Sequence, residues 1–514
     1  MNQLEKQLNK YFGYPTFRPG QKEIIEDILN GKHVFATLPT GSGKSICYQL
    51  PSMMIDGKVI VVTPLLSLME DQVKQLKKRG FKQAVAINSF NTTVERRSIL
   101  NQLDAYQLIY LSPEMLQNKY VITKLRQLKI SLFVIDEAHC ISQWGHEFRP
   151  DYLKLNQAIE HLGDPTILAL TATATPDVQK DIINHFYKIK FTKHIYPIDR
   201  DNISLIVEQL NHRSEKDAYL INLFQKWSVP TIIYFTSRKE AERVATLLGE
   251  KFSQLSVSYY HGELETSERL LIQEQFMENQ IDIICATSAF GMGIDKQNIR
   301  LVIHYHIPTQ LESLIQEIGR AGRDQLSSVS ISLIAPNDDI LPRRLIETEL
   351  PSTEMVESLF ASLLHIQQSE TTISLNQAFI HNHWPINEVQ RRFIQDYFAE
   401  NDLMTQDGRI ELHKIIPQIK HDLIKRVEQR SRYKLGKLDE LFQWLTAKEC
   451  RRQALYQSFQ STVREAKYHC CDQCGFTLEQ WSPEYGKRGR ELKSWQAQLQ
   501  SILLPFESGG TGHE

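Results

Sequence analysis

The 514-residue chain has no run of about 18 apolar residues, so no membrane-spanning helix is expected. Its opening segment, MNQLEKQLNKYFGY, lacks the apolar centre of a secretory signal, and a cytoplasmic, nucleoid-associated protein is the expectation. Net charge is small. At −2 the surface is not coated in basic groups, although a local groove can be positive on a neutral whole. Cysteine is scarce too: seven in so long a chain do not make a disulfide scaffold. Cys47, Cys140 and Cys285 lie in apolar or motif-rich runs and read as small buried hydrophobes. Cys450, Cys470, Cys471 and Cys474 are bunched and need a separate account.

What is present first is alternation. HVFATL, VIVVTP, LIYLSP, LFVIDE and ILALTA are short apolar runs, separated by stretches such as LLSLMEDQVKQLKKRG with helical spacing. Continuous apolar runs suit strands covered on both faces. The alternation predicts a parallel α/β lobe over residues 1–203. It restarts in TIIYFTS, VSYYHG, IDIICATS, RLVIHY and VSISLIA, predicting a second lobe over 204–345. Two lobes imply a cleft, and open α/β sheets bind ligands beyond the carboxyl ends of their strands. Past 345 the strand runs stop. Residues 346–432 read as helices followed by a hairpin at Asp407-Gly408, the outline of a winged helix. Residues 433–480 hold a further helix and the cysteine cluster, and 481–514 form a tail whose end, SGGTGHE, is expected to be disordered.

Three motifs carry chemistry. Thr40, Gly41, Ser42, Gly43, Lys44 and Ser45 lie between a predicted strand and a predicted helix. Glycines let backbone N–H groups approach phosphates, a lysine reaches the β and γ phosphates of ATP, and a serine hydroxyl ligates Mg²⁺. The strict phosphate-loop pattern asks for glycine where this chain has Leu38. Asp136 and Glu137 close the run LFVIDE. A carboxylate at the tip of a buried strand is costly unless a cation meets it. Mg²⁺ answers for Asp136, and Glu137 is then placed to activate the attacking water. Arg320 and Arg323, in IGRAGRD, belong to the second lobe and would meet the γ-phosphate charge when the cleft closes.

Taken in order, FGYPTFRPGQ, TGSGKS, VVTPLLSLMEDQV, LIYLSPEM, DEAHCISQWGHEFRPDY, LTATAT, IICATSAFGMGIDK and QEIGRAGRD resemble the successive motifs of superfamily-two helicases, and most closely those of the RecQ family of ATP-dependent DNA helicases. The resemblance spans about residues 8–345 and implies two RecA-like lobes. It implies that Tyr14 stacks on the adenine, that Arg18 and Gln21 read it, and that Asp295 and Gln316 help build the composite site. It also implies that His139 couples the pocket to DNA and that Thr171 and Thr173 link hydrolysis to lobe movement. Aromatic rings stack on unpaired bases and arginine meets the backbone. Trp144, Phe148 and Arg149, just beyond Glu137, are therefore expected to grip single-stranded DNA, while Tyr152 reads as core packing. Ser112 and Arg238 are expected phosphate contacts.

RecQ proteins carry a CRR helix followed by three spaced cysteines that bind one structural Zn²⁺. The resemblance thus implies Zn²⁺ on Cys450, Cys470, Cys471 and Cys474, with His469 in reserve, because the family spacing would place a cysteine at Tyr468. The order of modules departs from the usual one, since the winged-helix candidate precedes the cysteines. The chain resembles the short bacterial RecQ-like form. The expected activity is an ATPase that translocates 3′ to 5′ on single-stranded DNA, unwinds duplex DNA in recombination and repair, and works as a monomer, with a single-strand-binding protein or repair proteins as partners. An RNA helicase, or an ATP-gated clamp or annealing module, stays open as an alternative. The hairpin at Gln406–Arg409 could be a strand-separating pin or a solvated turn. The helix with Arg391 and Arg392 could face duplex DNA or solvent.

Overall fold

The computed structural model describes residues 3–64, 66–142, 149–291, 295–375, 377, 386–405 and 407–483. Seven strands form the first sheet: β1 (Val34–Thr37), β2 (Lys58–Val62), β3 (Ala84–Ile87), β4 (Leu108–Leu111), β5 (Ile130–Ile135), β6 (Thr166–Thr171) and β7 (Thr192–Ile195). All pair in parallel, in the order β3-β4-β2-β5-β6-β1-β7. The apolar runs are explained by two cores. On β5, Phe133 and Ile135 face one cluster and Leu132 and Val134 the other, all fully buried. Six strands form the second sheet: β8 (Ile203–Gln209), β9 (Thr231–Tyr234), β10 (Val257–Tyr260), β11 (Ile283–Ala286), β12 (Leu301–His304) and β13 (Ser328–Ile334). They too are parallel, in the order β10-β11-β9-β12-β13-β8.

The sheet order places the chemistry. β6 lies between β5 and β1, so Thr171 at its carboxyl end stands between the loop after β1 and the carboxylates after β5. Leu38, the departure from the glycine pattern, is buried, and its N–H reaches Thr171 O at 3.1 Å. The chain is still paired with β6 there, and a side chain is useful in the core.

Beyond the second sheet, the helices Thr353–Ile366 and Glu388–Glu400 share one apolar core with the antiparallel pair β14 (Thr372–Ser374) and β15 (Arg409–Glu411). The helix Pro417–Thr446 begins in that core through Leu423 and Val427 and ends in the second lobe's core through Leu441, Trp444 and Leu445. The boundary expected at 432/433 therefore falls inside one 30-residue helix. The cysteine region is no free-standing module either: Leu455, Tyr456, Phe459 and Cys471 join the second lobe's core. The lobes meet at a linker over 196–202, and Ile203 already belongs to β8.

Candidate active site at the cleft between the lobes

The loop after β1 turns through positive φ at Gly41 (78°) and Gly43 (77°), which glycine adopts without strain. Gln21, almost fully buried, donates to Ser42 O at 2.9 Å and Gly43 O at 3.0 Å, and accepts from Arg18 N at 2.9 Å. The Arg18 guanidinium donates to Gly41 O. Both residues thus brace the phosphate loop. Tyr14 is exposed, with the Arg79 guanidinium 5.8 Å from its ring centroid.

Asp136 is buried at the tip of β5, and its N–H bonds Val62 O at 2.9 Å. Burial, and then the neighbouring Glu137 charge, push its carboxyl up to about 6. Such a group fits a cation site, and Ser45 lines the same pocket. Glu137 sits at φ 48°, ψ 48°, a conformation that a non-glycine residue holds at a cost of about 1–3 kcal/mol. That turn aims its carboxylate back into the cleft. Oε1 lies 3.5 Å from Lys44 Nζ, and Oε2 lies 3.5 Å from His139 Nδ1. His139 Nδ1 is 2.9 Å from Thr171 Oγ1, which accepts from Thr173 N at 3.3 Å. Lys44, Glu137, His139 and Thr171 are therefore one contiguous network. Tyr152 is core, as expected, and its hydroxyl also donates to Asp136 O at 3.0 Å.

The second lobe closes the pocket. Asp295, Gln316, Arg320 and Arg323 line it together with Thr40, Gly41, Gly43, Lys44, Ser45, Asp136 and Glu137. Arg323 is buried, donates to Asp295 Oδ1 at 2.8 Å and lies over Gly41, where a Cβ would come within 2.9 Å of its side chain. Arg320 is buried and donates to Gly291 O. The arrangement can hold a triphosphate between a lysine from one lobe and two arginines from the other.

The expected strand contacts fare unevenly. Trp144 and Phe148 lie outside the described residues. Arg149 follows them, its N–H bonded to Cys140 O at 3.0 Å and its guanidinium 4.0 Å from Glu114. Arg238 is half exposed at a helix start and paired with Glu263. Ser112 is buried at the start of the turn Pro113–Gln117. Arg392, half exposed on its helix, reaches Asp151 at 3.0 Å and Glu114 at 3.9 Å, both in the first lobe. Of the hairpin, Gln406 lies outside the described residues. Thr405 N and Arg409 O bond at 2.8 Å around Gly408 (φ 79°), and Arg409 also reaches Thr372 Oγ1 at 3.1 Å.

The four cysteine sulfurs gather within 4.8 Å of one another. Cys450–Cys470 and Cys471–Cys474 are each 3.5 Å apart, far beyond the roughly 2.05 Å of a disulfide. Tetrahedral Zn–S bonds of about 2.3 Å put sulfurs roughly 3.8 Å apart, so the set fits the ion. The reserve ligand, His469, instead stacks on Phe476 at 4.7 Å.

Sequence reading missed Arg200, Asn202 and Arg452, which tie the linker to both lobes. PIDRDN shows charged residues ahead of the apolar run of β8, but not their partners, which are remote in sequence.

Fold and pocket together define a two-lobed nucleoside-triphosphatase motor of the helicase type. Residues 18–182 match the DEAD/DEAH box helicase family and 215–325 the helicase conserved C-terminal domain. The probable ATP-dependent DNA helicase RecS of Bacillus subtilis is 42% identical over 507 residues, 98% of each chain. The ATP-dependent DNA helicase RecQ of that bacterium is 40% identical over 407 residues, covering 78% of this chain and 65% of that one. The chain belongs to the RecQ family of helicases. Among solved structures, Mycobacterium smegmatis Lhr bound to ssDNA and AMP-PNP aligns at a TM-score of 0.56 and 17% identity, over 82% of this chain and 61% of that one. Mss116p bound to ssRNA and AMP-PNP aligns at 0.56 and 18%, over 90% and 95%. These two likenesses concern the fold. Among the described residues, no helix is long and apolar enough to cross a membrane.

Proposed function

We propose that the protein is an ATP-dependent DNA helicase that moves 3′ to 5′ along single-stranded DNA and opens duplex DNA in recombination and repair. One observation carries the reading: a single pocket is lined by Lys44, Ser45, Asp136 and Glu137 from one lobe and Asp295, Gln316, Arg320 and Arg323 from the other. Such a site is complete only when the lobes meet, so turnover and lobe movement are one event.

Lys44 takes the β and γ phosphates, and Glu137 accepts the proton of the attacking water. Ser45 and Asp136 would hold Mg²⁺, which would supply charge neutralisation on the phosphates. Arg320 and Arg323 stabilise the charge that grows on the γ-phosphate. Glu137 reports to the DNA side through His139 and Thr171, and Asp136 through the Tyr152 hydroxyl, three residues beyond Arg149. Bases stacked on Trp144 and Phe148 would bias these groups by a short route. Residues 353–415 serve as the duplex-facing winged helix, a reading supported by two helices and a hairpin around one core. Zn²⁺ on the four cysteines is structural.

ATP turnover measured with DNA and with RNA oligonucleotides, and strand displacement on a tailed duplex with Lys44→Ala as control, test the reading. Stimulation by RNA alone makes it an RNA helicase. Stimulation by DNA without displacement makes it a clamp or annealing module.

A further inference from the structure

We propose that Arg200 is a positioning residue for hydrolysis. It locks the arginine-bearing segment 319–323 against the phosphate loop, and the cysteine-bearing region sets where Arg200 stands. The inference rests on the roles given above to Arg320 and Arg323.

Arg200 is buried in the linker between the lobes. Its guanidinium spans three parts of the site. Nη1 donates to Thr40 O at 2.9 Å, in the phosphate loop, and to Gly319 O at 3.2 Å, in the second lobe. Nη2 donates to Gly322 O at 2.6 Å, Ala321 O at 3.4 Å and Asn202 Oδ1 at 3.2 Å. Asn202 in turn donates to Gly322 O and Leu326 O, both at 2.8 Å. Every one of these acceptors is a neutral oxygen. A buried cation among neutral acceptors is a costly way to join two lobes, and neutral donors would serve for adhesion alone. A planar fork, however, fixes several carbonyls in one geometry. The contact is tight: a Cβ at Gly319 would stand 2.8 Å from Thr40 Cβ, and one at Gly41 would stand 3.0 Å from Arg200 Nη1.

The backbone of this linker is held from behind. Arg452, buried and two residues past Cys450, donates to Arg200 O at 2.7 Å and to Ile203 O. Gln460 reaches Asp199 Oδ1 and receives Ile198 N, both at 2.7 Å. Arg464 N bonds Asp199 Oδ2 and Lys467 N bonds Asp201 O, both at 2.9 Å. The segment 452–467 therefore grips 198–203 while Arg200 grips the pocket.

The test is DNA-stimulated ATP turnover by the full chain carrying Arg200→Ala, Arg200→Lys, Arg323→Ala, the Arg200→Ala/Arg323→Ala pair, or Arg452→Gln, with KM for ATP and thermal midpoint measured alongside. For Arg200→Ala, kcat is expected to fall about 10- to 100-fold, as when a transition-state donor is misplaced, with KM held within about twofold. The pair is expected to be no slower than Arg323→Ala alone, because residues that act as a unit are not additive. Arg200→Lys should fall between, and Arg452→Gln should lower kcat with KM unchanged. Additive losses, or equal changes in KM and kcat, overturn the positioning role. So does loss of cooperative folding in both Arg200 variants. Should Arg200→Ala alone not fold, Arg200→Lys carries the comparison, and wild-type kcat there is the contrary result. Full turnover by Arg323→Ala removes the underlying reading and this inference with it. Loss in Arg323→Ala with full turnover in Arg200→Ala removes only the inference.

Discussion

Lys44 Nζ stands 3.5 Å from Glu137 Oε1 although 92 residues lie between them, and this pair joins the glycine-containing loop after β1 to the carboxylate that follows β5. The proposed function gives the two groups different tasks, and their variants should separate. Lys44→Ala is expected to lose ATP binding. Glu137→Gln keeps the shape, so it should bind ATP near normally while kcat falls about 10²- to 10⁴-fold, the usual worth of a general base. Titration with a fluorescent ATP analogue and single-turnover kinetics check this. Equal loss of binding in both variants would contradict it.

The cysteine cluster predicts one Zn²⁺ per chain. Cys471 is buried in the second lobe's core, and Cys474 is exposed. Cys471→Ser should therefore lose the metal and lower the melting temperature more than Cys474→Ser does. His469→Ala should keep the metal, since its ring is stacked on Phe476. Elemental analysis and calorimetry decide, and metal loss in His469→Ala would reopen the ligand set.

Much of this was legible from residue order. Strands buried on both faces announce themselves as unbroken apolar runs, which is how β1, β2, β4, β5 and β6 were found. β3 (AVAI) and β7 (TKHI) were not recognised, the first because alanine is uninformative and the second because an edge strand is half polar. The phosphate loop and DEAH were legible because their chemistry is local. Arg200 was not: its partners at 40, 319 and 322 are remote in sequence, and a lone arginine in a linker reads as surface. The pairing of Arg392 with Asp151 was not legible for the same reason, as exposure on a helix face cannot be told from pairing across domains.

That Arg392–Asp151 pair yields a third prediction. At 3.0 Å and partly exposed, it should show a coupling of about 0.5–1 kcal/mol in a double-mutant cycle with Arg392→Ala and Asp151→Ala. The coupling should fade in about 1 M salt, where the Debye length is roughly 3 Å. Chemical denaturation measures it, and zero coupling at low salt would show that the pair contributes nothing.

His306 predicts a pH effect on stability. Burial, then the nearby Lys216 cation, hold its imidazole down to about 4, while Asp338, Arg213 and Glu240 also act on it. The unfolded side chain titrates near about 6.5 and so binds a proton that the folded one refuses. Stability from this site is complete above about pH 6.5 and is lost as pH falls toward 4, an effect on the order of 3 kcal/mol. His306→Asn should flatten the stability profile between those values. An unchanged slope would place the acid sensitivity elsewhere.

The central claim is that a pocket shared by two lobes burns ATP only as fast as bound DNA allows. Its most direct test is ATP turnover by the zinc-replete chain with and without a single-stranded oligodeoxynucleotide. The account predicts at least a roughly tenfold rise in kcat, on the scale of one correctly placed catalytic group, and no such rise in Arg323→Ala. A turnover rate indifferent to DNA would contradict it.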